Sequence, residues 1–277
     1  MYHEKGLNSE VINIFQNIIY AYYKQYGRDF PFRRNITPYN VLVSEIMLQQ
    51  TQTATVSEKF VNFIKMFPDF ETLANAPLDR VLKAWQGLGY NRRAIALKNI
   101  AEKVINEFDG KFPVSVDVLK KFPQIGHNTA SSIATFAFNK QTYFIETNIR
   151  RVFIYFFFHK RKNVNDKEIL PFVKATADKD DPRKWYYALM DYGVMLKKTH
   201  PELYKQSAHY KKQKPFKDSD REIRGKILRN LLKKKTLEKS ELYLNLKYPQ
   251  SRINKVLEQL EKEGFLSVHD EIINVAK

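Results

Sequence analysis

Apolar residues recur at three- and four-residue spacing along nearly the whole chain, which predicts amphipathic helices, and two-residue alternation is scarce before residue 265. The spacing predicts a first helix over 8–27. Thr37 followed by Pro38 supplies a cap and a first-turn proline, opening a helix through YNVLVSEIMLQQ. Further helices are predicted at about 53–66, 70–75, 78–86, 91–108, 115–121 and 128–138, then at about 148–158, 166–177 and 183–197. The stretch from about 199 to 218 is polar, rich in Lys and Gln and contains Pro215, so it reads as a linker. Beyond it, SDREIRGKILRNLLKK, EKSELYLNL and PQSRINKVLEQLEKEG predict three helices, and FLSVHDEIINVA predicts a two-stranded hairpin. That order is the layout of a winged helix-turn-helix. Most such modules bind DNA, and a minority serve only in packing or protein contact.

Composition narrows the picture. At 277 residues the chain suggests about two compact units. A hydrophobic fraction of 43% with 14% aromatics is enough for a sizeable core and excludes wholesale disorder. No run of 18 apolar residues occurs, and MYHEKGLNSEVINIF lacks the order of a secretory signal, so the expectation is a soluble, cytoplasmic protein. The absence of cysteine excludes disulfides, thiol nucleophiles and thiolate-held clusters. The six histidines show no ligand spacing, so neither a metal nor another cofactor is expected. Lys and Arg number 47 against 30 Asp and Glu, a net charge of +17 that implies a polyanionic partner. Residues 211–277 hold 17 basic and 10 acidic residues, so both the tail and the rest of the chain can meet phosphate. The bland alternative is a Lys-rich composition that merely solvates surfaces.

Three segments carry candidate chemistry. Glu45 sits among Val41, Leu42, Ile46 and Leu48, where a carboxyl group is poorly solvated and its pKa rises. Such an acid can release a proton near neutral pH, as general acid catalysis requires; a glutamate on the solvent face of an amphipathic helix is the competing reading. Gln49, Gln50 and Gln52 follow at the helix end and suit either base-edge contact or a polar terminus. FPQIGHNTA, residues 122–130, places Gly126 and His127 between two short helices. A turn of this kind aims backbone N–H groups outward at a helix start and can hold a DNA phosphate; a plain helix–helix turn looks the same. Glu146 precedes a predicted helix in IETNIRRV, and a second carboxylate could complete an acid-plus-stabiliser pair for glycosidic cleavage. It could equally just cap the helix. The run from Phe153 to Phe158 reads as a buried helix face, and Trp85 and Trp185 as core.

Together and in this order, FPFRRNITPYNVLVSEIMLQQTQTATV, GLGYNRRAIAL, FPQIGHNTA, FIETNIRRV and ALMDYGVM resemble the helix-hairpin-helix DNA glycosylase superfamily, closest to its adenine glycosylase (MutY) branch, over roughly residues 25–200. The tail from PFKDSDREIRGKIL resembles the winged helix of some members. The resemblance implies an all-α, two-lobed fold: a glycosylase core over 1–210, with a six-helix barrel at about 28–135 and a second lobe from about 1–27 and 136–210. A winged helix-turn-helix over 216–277 would follow. It further implies a monomer that binds double-stranded DNA, with no membrane contact, and flips a mispaired base into a cleft. In the nucleoid of a prokaryote it would act in base excision repair. By resemblance Glu45 is the general acid, Glu146 the catalytic carboxylate and Asn148 its neighbour. Gln50 would enter the duplex beside the flipped base and Gln49 would contact DNA, with Thr51 and Leu88 near the opposing purine and Tyr90 in the same loop. Arg33 would line the pocket, Asp191 would reach the exocyclic amine, and Gln124, Gly126, His127, Asn128 and Thr129 would grip phosphate.

The departures are specific. Glu146 stands where the superfamily carries aspartate, one methylene longer. Asn128 replaces the lysine of the lyase members, so no Schiff base and no strand cleavage are expected. Gln124 replaces the first hairpin glycine, and the four cluster cysteines are missing from Lys197–Tyr210. The function implied is a monofunctional DNA glycosylase that removes adenine opposite guanine or 8-oxoguanine. The alternatives are a glycosylase for another base, such as thymine opposite guanine, and a catalytically impaired DNA-binding or damage-sensing protein.

Overall fold

The computed structural model describes residues 6–159, 161–210 and 215–276. Helices follow in the order α1 (Ser9–Tyr26), α2 (Pro31–Arg34), α3 (Pro38–Leu48), α4 (Thr53–Met66), α5 (Phe70–Asn75), α6 (Leu78–Trp85), α7 (Arg92–Phe108), α8 (Val116–Leu119), α9 (His127–Phe138), α10 (Thr147–Phe157), α11 (Asp166–Thr176) and α12 (Pro182–Thr199). A 3-10 turn (Pro201–Gln206) leads to α13 (Asp220–Lys234), β1 (Thr236–Glu238), α14 (Lys239–Leu246), α15 (Gln250–Lys262), β2 (Leu266–His269) and β3 (Ile272–Val275). None of the described helices is long and apolar enough to cross a membrane.

Local chemistry sets the helix ends. Asn8 and Asp69 accept from backbone N–H groups of the first turns of α1 and α5. Asn165 and Glu168 form a reciprocal capping box on α11, and Asp181 caps α12 just ahead of Pro182.

The chain divides into two compact units, each built from two segments. Met1–Glu45 with Pro113–Lys212 forms one. Its core gathers Phe15 and Ile19 of α1, Phe153, Ile154 and Phe157 of α10, and Trp185 and Leu189 of α12. Phe15 meets Phe153, Phe157 and Trp185 ring to ring, at centroid distances of 5.6, 5.1 and 5.8 Å. Burying each such side chain contributes about 2–3 kcal/mol, so the aromatic run beginning at Phe153 is core, as its spacing suggests. Ile46–Phe112 with Gln213–Lys277 forms the other unit, whose first segment packs Phe60, Phe63, Leu73, Val81, Trp85, Leu97 and Ile100.

Two expectations need correction. The stretch from 199 is not a loose linker: the 3-10 turn buries Leu203, and Ser207 forms a parallel bridge with Val164. Residues 211–214 of that stretch lie outside the described residues. The winged helix carries three strands rather than two, in the order β1-β3-β2, antiparallel, with Leu237 opposite Ile273 and Val268 opposite Ile273. β1 has three residues, too few for alternation to register in the sequence. Leu237, Ile253, Val256, Leu260, Phe265 and Ile273 close the small core of this module.

Candidate active site

The residues singled out above fall into two groups, one in each unit. The first gathers on α2, α3, α9, α10 and α12. Glu45 lies on α3 between the buried Ser44 and Ile46. Burial lifts its pKa to about 7, the charge of Glu146 pushes the same way, and the Ser132 hydroxyl and the Arg33 charge oppose them. Both glutamates are half-buried rather than fully exposed.

Ser132, on α9, has its Oγ within bonding reach of both Glu45 Oε2 and, at 3.0 Å, the carbonyl of Thr129. A hydroxyl has one proton to give. With Glu45 ionised, that proton goes to the carboxylate. With Glu45 protonated, the acid donates to Ser132 Oγ and the hydroxyl turns to Thr129 O. Both protonation states of Glu45 are hydrogen-bonded, so the group can change charge without orphaning a buried polar atom. The sequence reading missed Ser132. Its only signal there is a hydroxyl amid the small residues Ala130, Ser131 and Ala134 of a buried helix.

Glu146 occupies the N-cap position of α10 yet makes no side-chain capping bond. Its carboxylate instead accepts from Asn148 Nδ2 at 3.1 Å. Burial raises its pKa, while the Asn148 amide and the charges of Arg150 and Arg151 act against that rise. Asn148 is itself oriented: its Oδ1 accepts from Arg151 Nη1 at 2.9 Å, and the same nitrogen donates to Gly193 O at 2.9 Å. α12 approaches so closely here that a Cβ on Gly193 would lie 2.3 Å from the carbonyl oxygen of Asn148. Glycine is required by that contact rather than by its φ. Asn128 also serves Glu146 indirectly. Its amide donates to Ile145 O at 3.0 Å and accepts from Ile145 N at 3.5 Å, which fixes the residue preceding the carboxylate.

Arg33 stacks its guanidinium over Tyr187 at 4.2 Å and donates to both oxygens of Asp191, at 3.0 and 3.1 Å. Asp191 is 2% exposed and also receives the Arg28 backbone N–H at 2.7 Å and Arg28 Nε at 2.8 Å. Its oxygens are thus taken up by two arginines. The resemblance implies that Asp191 reaches an exocyclic amine; in this geometry it anchors Arg33 instead, because no lone pair is left over.

The hairpin of residues 122–129 places Gln124 in the left-handed region at φ 61°, a conformation that the glycine it replaces adopts more readily. Open space surrounds Gly126 where a Cβ would sit, at the start of the twelve-residue α9. His127 has one ring nitrogen 3.3 Å from Tyr143 O. The segment Lys197–Tyr210 offers no thiolate, and the packed 3-10 turn fills it, so the residues present do not fit an iron–sulfur cluster.

The second group belongs to the other unit. Gln49, Gln50 and Thr51 end α3, with Gln50 exposed in the left-handed region at φ 56°. Leu88 and Tyr90 lie in the turn between α6 and α7. Tyr90 is 41% exposed, whereas Leu88 is 4% exposed, so the leucine side chain packs inward. Both segments are tied to one side chain that the sequence reading missed. Arg93, 3% exposed, gives Nη1 to the carbonyls of Ile46, Met47 and Gln49 at 2.9, 2.8 and 2.6 Å. Its Nη2 goes to Thr51 Oγ1, Leu88 O and Gly89 O at 2.9, 3.0 and 2.9 Å. These include the orphan carbonyls of the α3 terminus. Burial among them lowers the arginine's pKa to about 10. The signal in the sequence is a pair of arginines opening a helix, where the dipole disfavours cations.

Residues 43–172 match the family described as HhH-GPD superfamily base excision DNA repair protein. Over 188 residues the chain is 37% identical to the adenine DNA glycosylase of Buchnera aphidicola subsp. Baizongia pistaciae, a match spanning 66% of this chain and 53% of that protein. Over 150 residues it is 36% identical to the human adenine DNA glycosylase, spanning 51% of this chain and 28% of that protein. The chain therefore spans about half the length of the first relative and under a third of the second. Among solved structures, a thermostable thymine-DNA glycosylase aligns with TM-score 0.62 at 24% identity, covering 73% of this chain and 97% of that one. A non-covalent endonuclease III–DNA complex aligns with TM-score 0.58 at 16% identity, covering 67% and 86%. At these identities the likeness is one of fold.

Proposed function

We propose, starting from the match of residues 43–172 to the HhH-GPD superfamily of base excision DNA repair proteins and the likeness to adenine DNA glycosylases, that this chain is a monofunctional DNA glycosylase of adenine mispaired with guanine or 8-oxoguanine. The observation that carries the reading is Glu45, a half-buried acid on α3 held by Ser132, whose pKa is lifted to about 7 by desolvation and further by the charge of Glu146. On this reading the protein holds DNA through phosphate, drawing on its +17 charge and on the backbone N–H groups that open α9. It turns one nucleotide out of the stack, at a cost of a few kcal/mol that is least at a mispair. Glu45 gives its proton to the purine ring as the C1′–N bond stretches, and the bonding electrons leave with the base. Glu146, ionised and fixed by Asn148, offsets the positive charge developing on the sugar and orients the attacking water. The products are free adenine and an abasic site. Asn128 has no amine to form a Schiff base with that sugar, so the strand stays intact.

The test uses purified protein with duplexes carrying A opposite 8-oxoguanine, A opposite G, T opposite G, and normal pairs. Products are read as strand breaks after alkali. The expected result is breaks at the A-containing mispairs after alkali and none before it. Binding of every duplex without a break in any would overturn the enzymatic reading, and breaks only at T opposite G would overturn the substrate.

A further inference from the structure

Two aspects of the turn Gln86–Asn91 stand out. Its backbone passes through the left-handed region at φ 93° in Gly87 and 70° in Gly89, which glycine adopts freely, and at 46° in Tyr90, where the side chain makes it costly. On its inner side it is well held: Trp85 Nε1 donates to Gly89 O at 3.2 Å, and Arg93 takes Leu88 O and Gly89 O. The elements that flank it meet the winged helix, which belongs to the same compact unit, while Gln86, Gly87, Gly89 and Tyr90 are exposed. Before the turn, α13 packs on α6. Asp79 of α6 has its pKa lowered first by its bond to Lys83 and further by the charge of Lys235 at the end of α13. Directly after the turn, Arg92 donates through Nε to Glu263 Oε2 at 2.7 Å and through Nη2 to Oε1. The same carboxylate accepts from Arg224 of α13 at 3.2 and 2.6 Å. Glu263, at the end of α15, is thereby gripped by two guanidiniums with its side chain only 16% exposed. Adjacent arginines at the start of α7 thus pull in two directions, Arg93 into the core and Arg92 onto the winged helix.

We propose that Glu263 is a positioning residue for the turn that carries Leu88 and Tyr90, and that the winged helix buttresses this turn by clamping Arg92, the first residue of α7. A bidentate, partly buried ion pair is one of the stronger surface links available, and a second arginine on the same carboxylate stiffens it. The DNA-facing role of the turn rests on the glycosylase reading; the clamp itself does not.

The full chain is compared as parent, Glu263→Gln, Arg92→Met and the double variant, by amide hydrogen exchange of peptides covering residues 86–91. Each single change is expected to speed exchange of the turn by about tenfold, as for loss of one charge-assisted link. The double variant is expected to go no further than Glu263→Gln alone, because that change already removes the carboxylate that Arg92 pairs with. In parallel, affinity for a duplex with A opposite 8-oxoguanine falls by a similar factor, while affinity for the fully paired duplex stays within about twofold. Unchanged exchange in the turn overturns the proposal, as do additive effects. Equal loss of affinity for paired and mispaired duplex also overturns it, since the winged helix would then be contacting DNA itself. Should the parent excise no base, the exchange arm still decides the clamp, so the two readings fail separately.

Discussion

Replacing Ser132 by alanine tests the link between the hydroxyl and the acid. In the parent, Glu45 has a pKa of about 7, so about half of it carries its proton at neutral pH. Burial raises that value most, and the hydrogen bond from Ser132 is the largest influence holding it down. Ser132→Ala deletes one oxygen atom and with it the donor to the ionised form. A hydrogen bond to a charged group is worth roughly 1.5–3 kcal/mol, of which water and relaxation recover part. A net loss near 1.4 kcal/mol corresponds to about one pKa unit upward. The groups facing Glu45 that also bear on its charge are Glu146 and Arg33, with Tyr187 beside them, and the substitution touches none of these. The assay is single-turnover release of adenine from a duplex with A opposite 8-oxoguanine, between pH 5.5 and 9. Excision needs the protonated acid, so the rate falls on the alkaline side as Glu45 ionises. The midpoint of that fall is expected to move up by about one unit in Ser132→Ala, whatever happens to the plateau. A midpoint that stays in place, or moves down, refutes the argument, because no change of packing alone predicts a rise in the acid's own titration.

Three further outcomes follow from the same geometry. A glutamate whose pKa rises on folding stabilises the protein below its unfolded pKa, and that contribution is lost as pH climbs from about 4.5 through about 7. Glu45→Gln, which cannot ionise, should therefore melt higher than the parent at pH 8 by an amount on the order of 2–3 kcal/mol and alike at pH 4.5, while releasing no adenine; equal melting at both pH values would refute the burial of the charge. Glu146→Asp withdraws the carboxylate by about one C–C bond from an Asn148 amide that Arg151 prevents from following, so single-turnover excision should drop on the order of 100-fold. A gain in rate would mean the site is built for aspartate after all. Gly193→Ala forces a Cβ against the carbonyl of Asn148 and should cost roughly 1–3 kcal/mol in urea unfolding as well as the alignment of the Asn148 amide, seen as a lower plateau rate.

What could be read in advance and what could not divides along the range of the interactions. Helix starts at Asn8, Pro38, Asp69, Asn165 and Asp181-Pro182 are encoded by neighbours within four residues, so spacing and caps place them to within a residue or two. Glu45 was visible as a carboxyl group in an aliphatic stretch, since its immediate neighbours already predict desolvation. The employment of Asp191 was not, because its partners Arg28 and Arg33 lie 163 and 158 residues away in the chain. Arg93 and Ser132 were hidden for the same reason. A guanidinium that holds a helix terminus and a turn together, or a hydroxyl that meets a carboxylate 87 residues away, acquires its meaning only from tertiary packing. Leu88 belongs with them. Nothing in the residues around it announces that a leucine in a glycine-rich turn is buried, yet the three left-handed residues around it fold the turn back and bury it.

The division of labour between the two carboxyl groups also follows from their surroundings rather than from their order in the chain. Both are lifted by burial, and two like charges so placed resist ionising together. The proton they have to share goes to whichever site stabilises its charge less. Glu146 has the Asn148 amide, itself held by Arg151, together with the positive charges of Arg150 and Arg151. Glu45 has one serine hydroxyl, equally able to accept, and the charge of Arg33, whose Nη1 and Nη2 both donate to Asp191. On the proposed glycosylase reading, these partners place the proton on Glu45 and the charge on Glu146. That is the polarity that acid-assisted departure of a base requires, with the donor on one side of the breaking bond and the anion facing the sugar.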